Sequence, residues 1–164
     1  MMVNKNRPHV LILPEDDANR QLANGFHLEV GSIRQMQVLQ VASGWRNVLA
    51  RFKSDQESDM RRYPHRHMVL LIDFDNQEDP LDIAKNVIPD DLKDRVFVLG
   101  AQKEPEDLQR AGLGPPETIG RALARDCRED TNETWGHDLL KHNVTEIARL
   151  RESLRQILFP SLGR

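Results

Sequence analysis

Four short apolar segments recur along the chain and predict the strands of a sheet. Three of them are continuous apolar runs, which are typical of strands buried on both faces: residues 9–13, 67–72 and 96–99. The fourth, residues 36–41, is interrupted by Gln37 and Gln40, as is common in a strand at the edge of a sheet. The pattern therefore predicts a four-stranded sheet whose second strand lies at an edge.

Helical patterns alternate with these segments. They cover residues 17–24, 45–60 and 80–87, and Gly25 is the expected end of the first helix. The order β-α-β-α-β-α-β requires right-handed crossovers between parallel strands. We therefore predict a doubly wound α/β fold with helices on both faces of a four-stranded parallel sheet, in the order 2-1-3-4.

After the last predicted strand, residues 96–99, the chain no longer alternates between strands and helices, and polar helices follow. Three are predicted, over residues 104–111, 117–127 and 138–159. The apolar positions of the last helix form one stripe: Leu140, Val144, Ile147, Leu154 and Leu158. We interpret residues 8–112 as an α/β core and residues 115–160 as a helical extension packed on the same sheet, within a single domain of residues 1–164.

Composition and charge narrow the class of protein. The chain has 164 residues, of which 38% are hydrophobic and 30% charged, and a formal net charge of −3, a polar but globular composition. Its single cysteine, Cys127, excludes an internal disulfide and a zinc site built on cysteines. No apolar run is long enough to span a membrane, and residues 1–7 lack the apolar stretch of a signal peptide. We therefore expect a soluble cytoplasmic protein that does not associate with membranes.

Acidic residues cluster where the predicted strands end. They are Glu15, Asp16 and Asp17 after the first strand, Asp73 and Asp75 after the third, and Glu104 and Glu106 after the fourth. Doubly wound sheets bind ligands beyond the carboxyl ends of the strands, where the strand order reverses. With the first and third strands as neighbours, Glu15 should therefore meet Asp73 and Asp75, whose side chains point to the same side of an extended backbone.

Converging carboxylates favour a divalent metal ion, because like charges raise one another's pKa and a cation removes the conflict. Mg²⁺ (or Mn²⁺) suits carboxylates together with waters and substrate phosphates, and it can polarise a phosphoryl oxygen or activate water. A remaining carboxylate with a raised pKa could act as a general acid or base. The alternative interpretation is structural. Asp16 or Asp17 could cap the helix that follows, and Asp73 or Asp75 could stabilise the following turn.

At these residues the sequence resembles the Toprim domain of topoisomerases, primases and OLD-family nucleases. That family has a Glu at the end of its first strand and Asp-x-Asp at the end of its third, matched here by Glu15 and by residues 73–75. The resemblance covers roughly residues 8–112 and implies a Mg²⁺-dependent domain that processes phosphodiesters. It implies Asp73 and Asp75 as metal ligands, Glu15 as acid/base or additional ligand, nucleic acid as substrate and a separately encoded partner protein. The Gly that usually follows the family Glu is Asp16 here.

A second resemblance competes with the first. Residues 11–22 look like the opening of a response-regulator receiver domain, which implies Asp16 and Asp17 as its acidic pair and Asp73 as its phosphoacceptor. Gly100 stands where that family has Ser or Thr, and no fifth strand ending in Lys is predicted. The alternative function is a non-catalytic regulatory or interaction module, with a receiver-like or a degenerate Toprim-like fold, that docks a partner or a second copy through its C-terminal helix.

The most basic stretch, residues 61–67, holds three arginines, two histidines and Tyr63. It could contact phosphates. However, it enters the third strand at its amino end, opposite the acidic clusters, and the isoelectric point of about 6.1 argues against tight nucleic-acid binding by the chain alone. We interpret this stretch as a solvated loop.

Overall fold

A computed structural model describes residues 3–31, 33–74 and 79–160 of the protein, without the side chains of Ile33 and Asp79. Four strands form one sheet: β1 (His9–Pro14), β2 (Met36–Val38), β3 (Arg66–Leu71) and β4 (Val96–Leu99). All neighbouring strands are parallel and the order is β2-β1-β3-β4. The predicted doubly wound order is thus confirmed, with β2 at an edge.

Seven α-helices surround this sheet in the described part of the chain. They are α1 (Asp17–Leu28), α2 (Trp45–Arg51), α3 (Glu57–Arg62), α4 (Asp79–Val87), α5 (Pro105–Leu108), α6 (Pro116–Glu129) and α7 (Val144–Leu158). A π-helical turn, Phe52–Gln56, joins α2 to α3, so one predicted helix is wound unevenly. None of these helices has the length and apolar character needed to cross a membrane.

Side chains of the strands alternate between two apolar cores, one on each face of the sheet. One core joins the strands to α1, α6 and α7 through residues such as Val10, Val69, Ile119, Leu123 and Ile147. The other joins them to α2, α3 and α4 through residues such as Leu11, Met68, Val48, Met60 and Ala84. Helices therefore cover both faces, as predicted, and those after residue 115 pack on the same sheet.

Gly25 does not end α1 as predicted, because the helix continues to Leu28. A Cβ atom at Gly25 would lie 2.0 Å from the carbonyl oxygen of Glu117, and one at Gly120 would lie 1.9 Å from the carbonyl oxygen of Leu22. Helices α1 and α6 therefore cross in backbone contact at these two glycines. Gly25 serves this close approach rather than helix termination.

The last helix begins at Val144 instead of residue 138. The Asn143 side chain binds the end of β4: its Oδ1 accepts from the Gly100 N–H at 3.1 Å, and its Nδ2 donates to the Gly100 carbonyl at 2.9 Å. Val144 is 46% exposed rather than part of the apolar stripe. The buried stripe is Ile147, Leu150, Leu154 and Leu158. Because this stripe packs into the core of its own chain, a partner or second copy would have to use another surface of α7.

Candidate functional site

The carboxyl ends of β1 and β3 lie side by side where the strand order reverses. Pro14 is paired with Leu71, and the N–H of Glu15 donates to the Leu71 carbonyl at 2.9 Å. Glu15 follows β1 directly, and Asp73 lies two residues beyond β3. The strand order therefore brings these two acidic residues to one crevice, the usual ligand site of an open α/β sheet.

Three carboxylates meet in this crevice. One oxygen each of Glu15, Asp16 and Asp73 lies within 4.8 Å of the others, and we call these residues the carboxylate triad. The N–H of Asp73 donates to Glu15 Oε1 at 3.0 Å. Asn19 Nδ2 donates at 3.0 Å both to Asp16 Oδ1 and to Asp73 Oδ1. The triad is therefore held together by one backbone amide and one side-chain amide.

Asp73 is the buried member of the triad, with 4% of its surface exposed. Burial raises the pKa of its carboxyl group to about 8, and the neighbouring charges of Asp16 and Glu15 act in the same direction. The hydrogen bond from Asn19 opposes this rise without overcoming it. In the absence of a cation, Asp73 therefore holds a proton at neutral pH.

Asp16 has both roles that the sequence suggested for the acidic residues: it caps a helix and it belongs to the carboxylate cluster. It is the N-cap of α1, and its Oδ1 accepts the N–H of Asn19 at 3.0 Å. This cap orients the first turn of α1 so that the Asn19 side chain also reaches Asp73. Helix capping thus places Asp16 in the triad rather than competing with that role.

The other predicted acidic residues lie apart from the triad or outside the described residues. The Asp17 side chain is 62% exposed and pairs with Arg20, whose hydrogen bond lowers the pKa of Asp17. Glu104 precedes α5 and lies 3.4 Å from Arg110. Asp75 falls in the segment that the structure does not describe. Two predicted residues, Glu15 and Asp73, are therefore brought together, and Asp16 rather than Asp17 joins them.

Sequence reasoning missed Asn19 and the loop after β2. The N–H groups of Ser43 and Gly44 donate to the Glu15 carbonyl at 2.8 and 3.3 Å. Ser43 has a φ of 65°, a left-handed conformation that is uncommon for residues other than glycine. This loop therefore fixes the backbone of Glu15 from the β2 side. Two signals could have pointed to these residues: the Asp-x-x-Asn capping pattern at 16–19 and the Ser-Gly turn at 43–44.

The donor set of the triad suits a hard divalent cation. It consists of carboxylate oxygens, which Mg²⁺ and Mn²⁺ prefer over the nitrogen and sulfur ligands of softer metals. Opposite ligands of Mg²⁺ are about 4.2 Å apart, since each Mg–O distance is about 2.1 Å. The 4.8 Å limit on the triad oxygens is close to that value. Small side-chain movements would therefore allow all three residues to bind one ion.

Gly100, at the end of β4, cannot carry the side chain that a receiver domain has there. A Cβ atom at this position would lie 1.5 Å from the carbonyl oxygen of Ile72. In the described part of the chain the sheet has four strands, and the segment after β4 leads into α5. Both departures from the receiver pattern that the sequence indicates are therefore present in the fold.

The chain matches no protein-family model, no curated protein and no solved structure. The resemblances to Toprim and receiver domains therefore stay hypotheses. The basis for inferring a function is the position of the carboxylate triad in the fold and its chemistry.

Proposed function

We propose that the carboxylate triad binds Mg²⁺ (or Mn²⁺) and that the protein is a Toprim-like domain that processes phosphodiesters together with a partner protein. The observation that carries the proposal is the convergence of three carboxylates from two strand ends, one of them buried. Such a group is unfavourable when fully ionised, and a cation or a proton must compensate it. A cation in this crevice would lie at the carboxyl ends of the strands, where open α/β sheets bind ligands, and would be accessible to solvent and substrate.

Each residue of the triad has a distinct task in this proposal. Asp16 and Asp73 would be ligands held in register by Asn19, and Asp73 would release its proton on binding. Glu15, positioned by the Asp73 N–H, would act as a further ligand or as the acid/base. A bound cation would polarise a phosphoryl oxygen and lower the pKa of a water molecule. Asp75, a ligand by resemblance, lies outside the described residues and stays a prediction.

Calorimetric titration of Mg²⁺ and Mn²⁺ into the full chain tests the site. We expect the wild type to bind one ion and Asp73→Asn to lose at least tenfold in affinity, because a neutral amide replaces the buried ligand. Asp17→Asn is the matched control, since it makes the same Asp-to-Asn substitution one residue beyond the triad, at an exposed side chain. Equal affinities of the wild type and Asp73→Asn would refute the site.

Cleavage assays test the phosphodiester part of the proposal separately. Mn²⁺- or Mg²⁺-dependent cleavage of single- or double-stranded DNA or RNA should be lost in Asp73→Asn and retained in Asp17→Asn. Activity that persists in Asp73→Asn would come from a contaminant or another site. A wild type that binds the ion tightly but cleaves none of these substrates, with or without a co-purified partner, would retain the metal site and reject the nuclease function.

One observation favours a second candidate, a receiver-like regulatory module. Asp73 follows β3, where a receiver domain has its phosphoacceptor, and it faces two acidic side chains, Glu15 and Asp16. This pair differs from the Asp16–Asp17 pair that the resemblance implies, because Asp17 is exposed and pairs with Arg20. In this case acetyl phosphate with Mg²⁺ should add one phosphoryl group to Asp73, detectable by mass spectrometry of the modified peptide. The Toprim-like proposal predicts no such labelling.

A further inference from the structure

The amino end of the sheet carries a cluster of cations around one aromatic ring. Lys5 Nζ and the guanidinium carbons of Arg62 and Arg66 lie 5.1, 5.4 and 5.0 Å from the centre of the Tyr63 ring. These distances are within the range of cation–π attraction. The cations come from three separate parts of the chain, the N-terminal segment, α3 and β3. The fold thus brings these cations together, and one of them, Lys5, lies outside the basic stretch of residues 61–67.

Arg95 fixes the turn that carries Tyr63. Its guanidinium donates to the carbonyl oxygens of Met60, Tyr63 and Arg66 at 2.9, 3.2 and 2.8 Å. Arg66 is itself buried, and its Nε donates to Nε2 of the buried His9 at 3.1 Å. His9 therefore accepts at Nε2 and stays neutral, while its Nδ1 lies 2.7 Å from the Arg7 carbonyl. The positions of Tyr63 and Arg66 are therefore set by the surrounding structure.

We call this cluster the basic end. It consists of Tyr63 and five cationic residues: Lys5, Arg61, Arg62, Arg66 and Arg95. These five positive charges outnumber the carboxylates that face them, which are Glu57, Asp59 and Asp91. Asp91 binds Arg61 through two hydrogen bonds, and Asp59 lies 3.7 Å from Arg66. Lys5 and Arg62 have no ion pair within residues 3–31, 33–74 and 79–160.

Lys5 and Arg62, both without an ion pair in the described part of the chain, lie beside a third cation, Arg66, around the same aromatic ring. Their mutual repulsion is unfavourable, and an anion that contacts several of them would relieve it. Arg62 is exposed and Lys5 partly so, whereas Arg66 contributes from a buried position. The basic end therefore offers two accessible cations, preorganised by an aromatic ring, to a ligand with closely spaced negative charges.

We propose that the basic end binds the phosphate backbone of a single-stranded nucleic acid, with Lys5 and Arg62 as the contacting residues and Tyr63 as their scaffold. A nucleic-acid strand supplies closely spaced phosphates at which cations gain affinity by releasing counterions. An anionic membrane fits less well. The large apolar side chains that are exposed in the described residues are Leu28, Ile83 and Val144, and none belongs to the basic end.

Nucleic-acid binding at the basic end would identify the substrate class of the proposed function. This binding requires neither the metal ion nor the carboxylate triad. The basic end and the triad lie at opposite ends of β1 and β3, which are six residues long, or about 20 Å. A strand bound at the basic end could therefore reach the triad only by running along the length of the sheet. Binding at the basic end and metal binding at the triad can accordingly be removed one at a time.

Fluorescence anisotropy of a labelled single-stranded oligonucleotide, in chelator and over a series of salt concentrations, tests the inference. We expect affinity for the wild type to fall as salt rises. The double variant Lys5→Ala/Arg62→Ala should bind at least tenfold more weakly and lose about 1.4 from the slope of log K against log salt, because two phosphate contacts disappear. Tyr63→Leu should weaken binding, and Tyr63→Phe should retain it, since its ring still holds the cations.

Arg110→Ala is the matched control for charge. It also removes one positive charge, from a guanidinium paired with Glu104 and Asp107 on another surface. Equal weakening by Arg110→Ala and Arg62→Ala would show a net-charge effect and overturn the proposal, as would the absence of binding to the wild type at low salt. Binding to phosphatidylserine vesicles instead of the oligonucleotide, lost in the double variant, would assign the surface to a membrane. Asp73→Asn should bind the oligonucleotide like the wild type, so failure of the metal site would leave this result unchanged.

Discussion

At the scale of single residues, the surroundings of Asp73 have opposite effects on its ionisation. Its carboxyl group is buried beside Glu15 and Asp16, so the charged form is unfavourable in the protein without a cation. Yet Asn19 donates a hydrogen bond to it, which orients the group as an acceptor. A residue of this kind is kept at a cost in stability, as is common for groups that act at functional sites.

The stability of the metal-free protein should therefore depend on pH through Asp73. Its pKa is about 8 when folded and near 3.8 when unfolded, so the folded state binds more protons between these values and stability falls as pH rises through that window. Asp73→Asn removes this dependence and should be more stable than the wild type at pH 8. At about 1.4 kcal/mol per tenfold change in proton affinity, the gain is at most about 5 kcal/mol.

Chemical denaturation of both proteins in chelator, from pH 5 to pH 8, measures this difference. Burial lowers the pKa of His9 and His67, which gives stability the opposite slope below about pH 6.5, but this contribution is common to both proteins and cancels. Asp17→Asn should follow the wild type throughout, because Asp17 titrates below this range. A constant difference between Asp73→Asn and the wild type at all pH values would show that Asp73 ionises normally.

At the scale of elements, α1 serves two purposes at its two ends. Its first turn supplies Asp16 as cap and Asn19 as the bridge of the triad. Farther along, Gly25 meets the backbone of α6, and the carboxylate of Glu29 pairs with Arg121 at 2.9 Å. Since α6 in turn packs on the sheet, the crossing of the two helices sets the orientation in which α1 presents Asn19 to Asp73.

Gly120→Ala tests this crossing. Alanine normally stabilises a helix interior by about 0.5–1 kcal/mol relative to glycine. Here the new Cβ would lie 1.9 Å from the Leu22 carbonyl oxygen, so the helices must move apart and we expect a loss of about 1–3 kcal/mol. Gly31→Ala is the control, because its Cβ would meet the Leu158 carbonyl oxygen at 3.4 Å. Urea denaturation distinguishes the two, and a stabilised Gly120→Ala would mean that the crossing has room for a side chain.

The contrast between Gly25 and the strands shows what sequence patterns can predict. The strands were predictable because each is a short apolar run whose burial on both faces leaves a local signal, and the alternation of elements then implied the strand order. The meeting of Glu15 with Asp73 followed from that order. The length of α1 was not predictable, since Gly25 contacts Glu117, far along the chain. The choice of Asp16 over Asp17 depends on the geometry of the first helical turn, for which the Asp-x-x-Asn pattern at 16–19 is the only local signal.

At the scale of the whole molecule, an acidic cluster and a basic cluster lie at opposite ends of the sheet. The carboxylate triad lies at the carboxyl ends of β1 and β3, and the basic end lies at the amino end of β3. The net charge of −3 hides this arrangement, which is why the isoelectric point alone argued against nucleic-acid binding. Parallel strands favour this arrangement. The residues that directly follow the strands lie at one end of the sheet, and the residues that directly precede them lie at the other.

The two ends should respond independently to the ligands that we propose for them. A ligand that binds only the folded state raises the melting temperature by mass action, and effects at sites more than about 10 Å apart usually add. We therefore expect Mg²⁺ and a short oligonucleotide, too short to span both ends, to raise the melting temperature by amounts that sum when both are present. Asp73→Asn should lose the Mg²⁺ increment and keep the oligonucleotide increment, and Lys5→Ala/Arg62→Ala should show the reverse. A longer oligonucleotide that exceeds the sum only in the presence of Mg²⁺ would indicate one strand bound at both ends, which is the arrangement that phosphodiester processing at the triad requires.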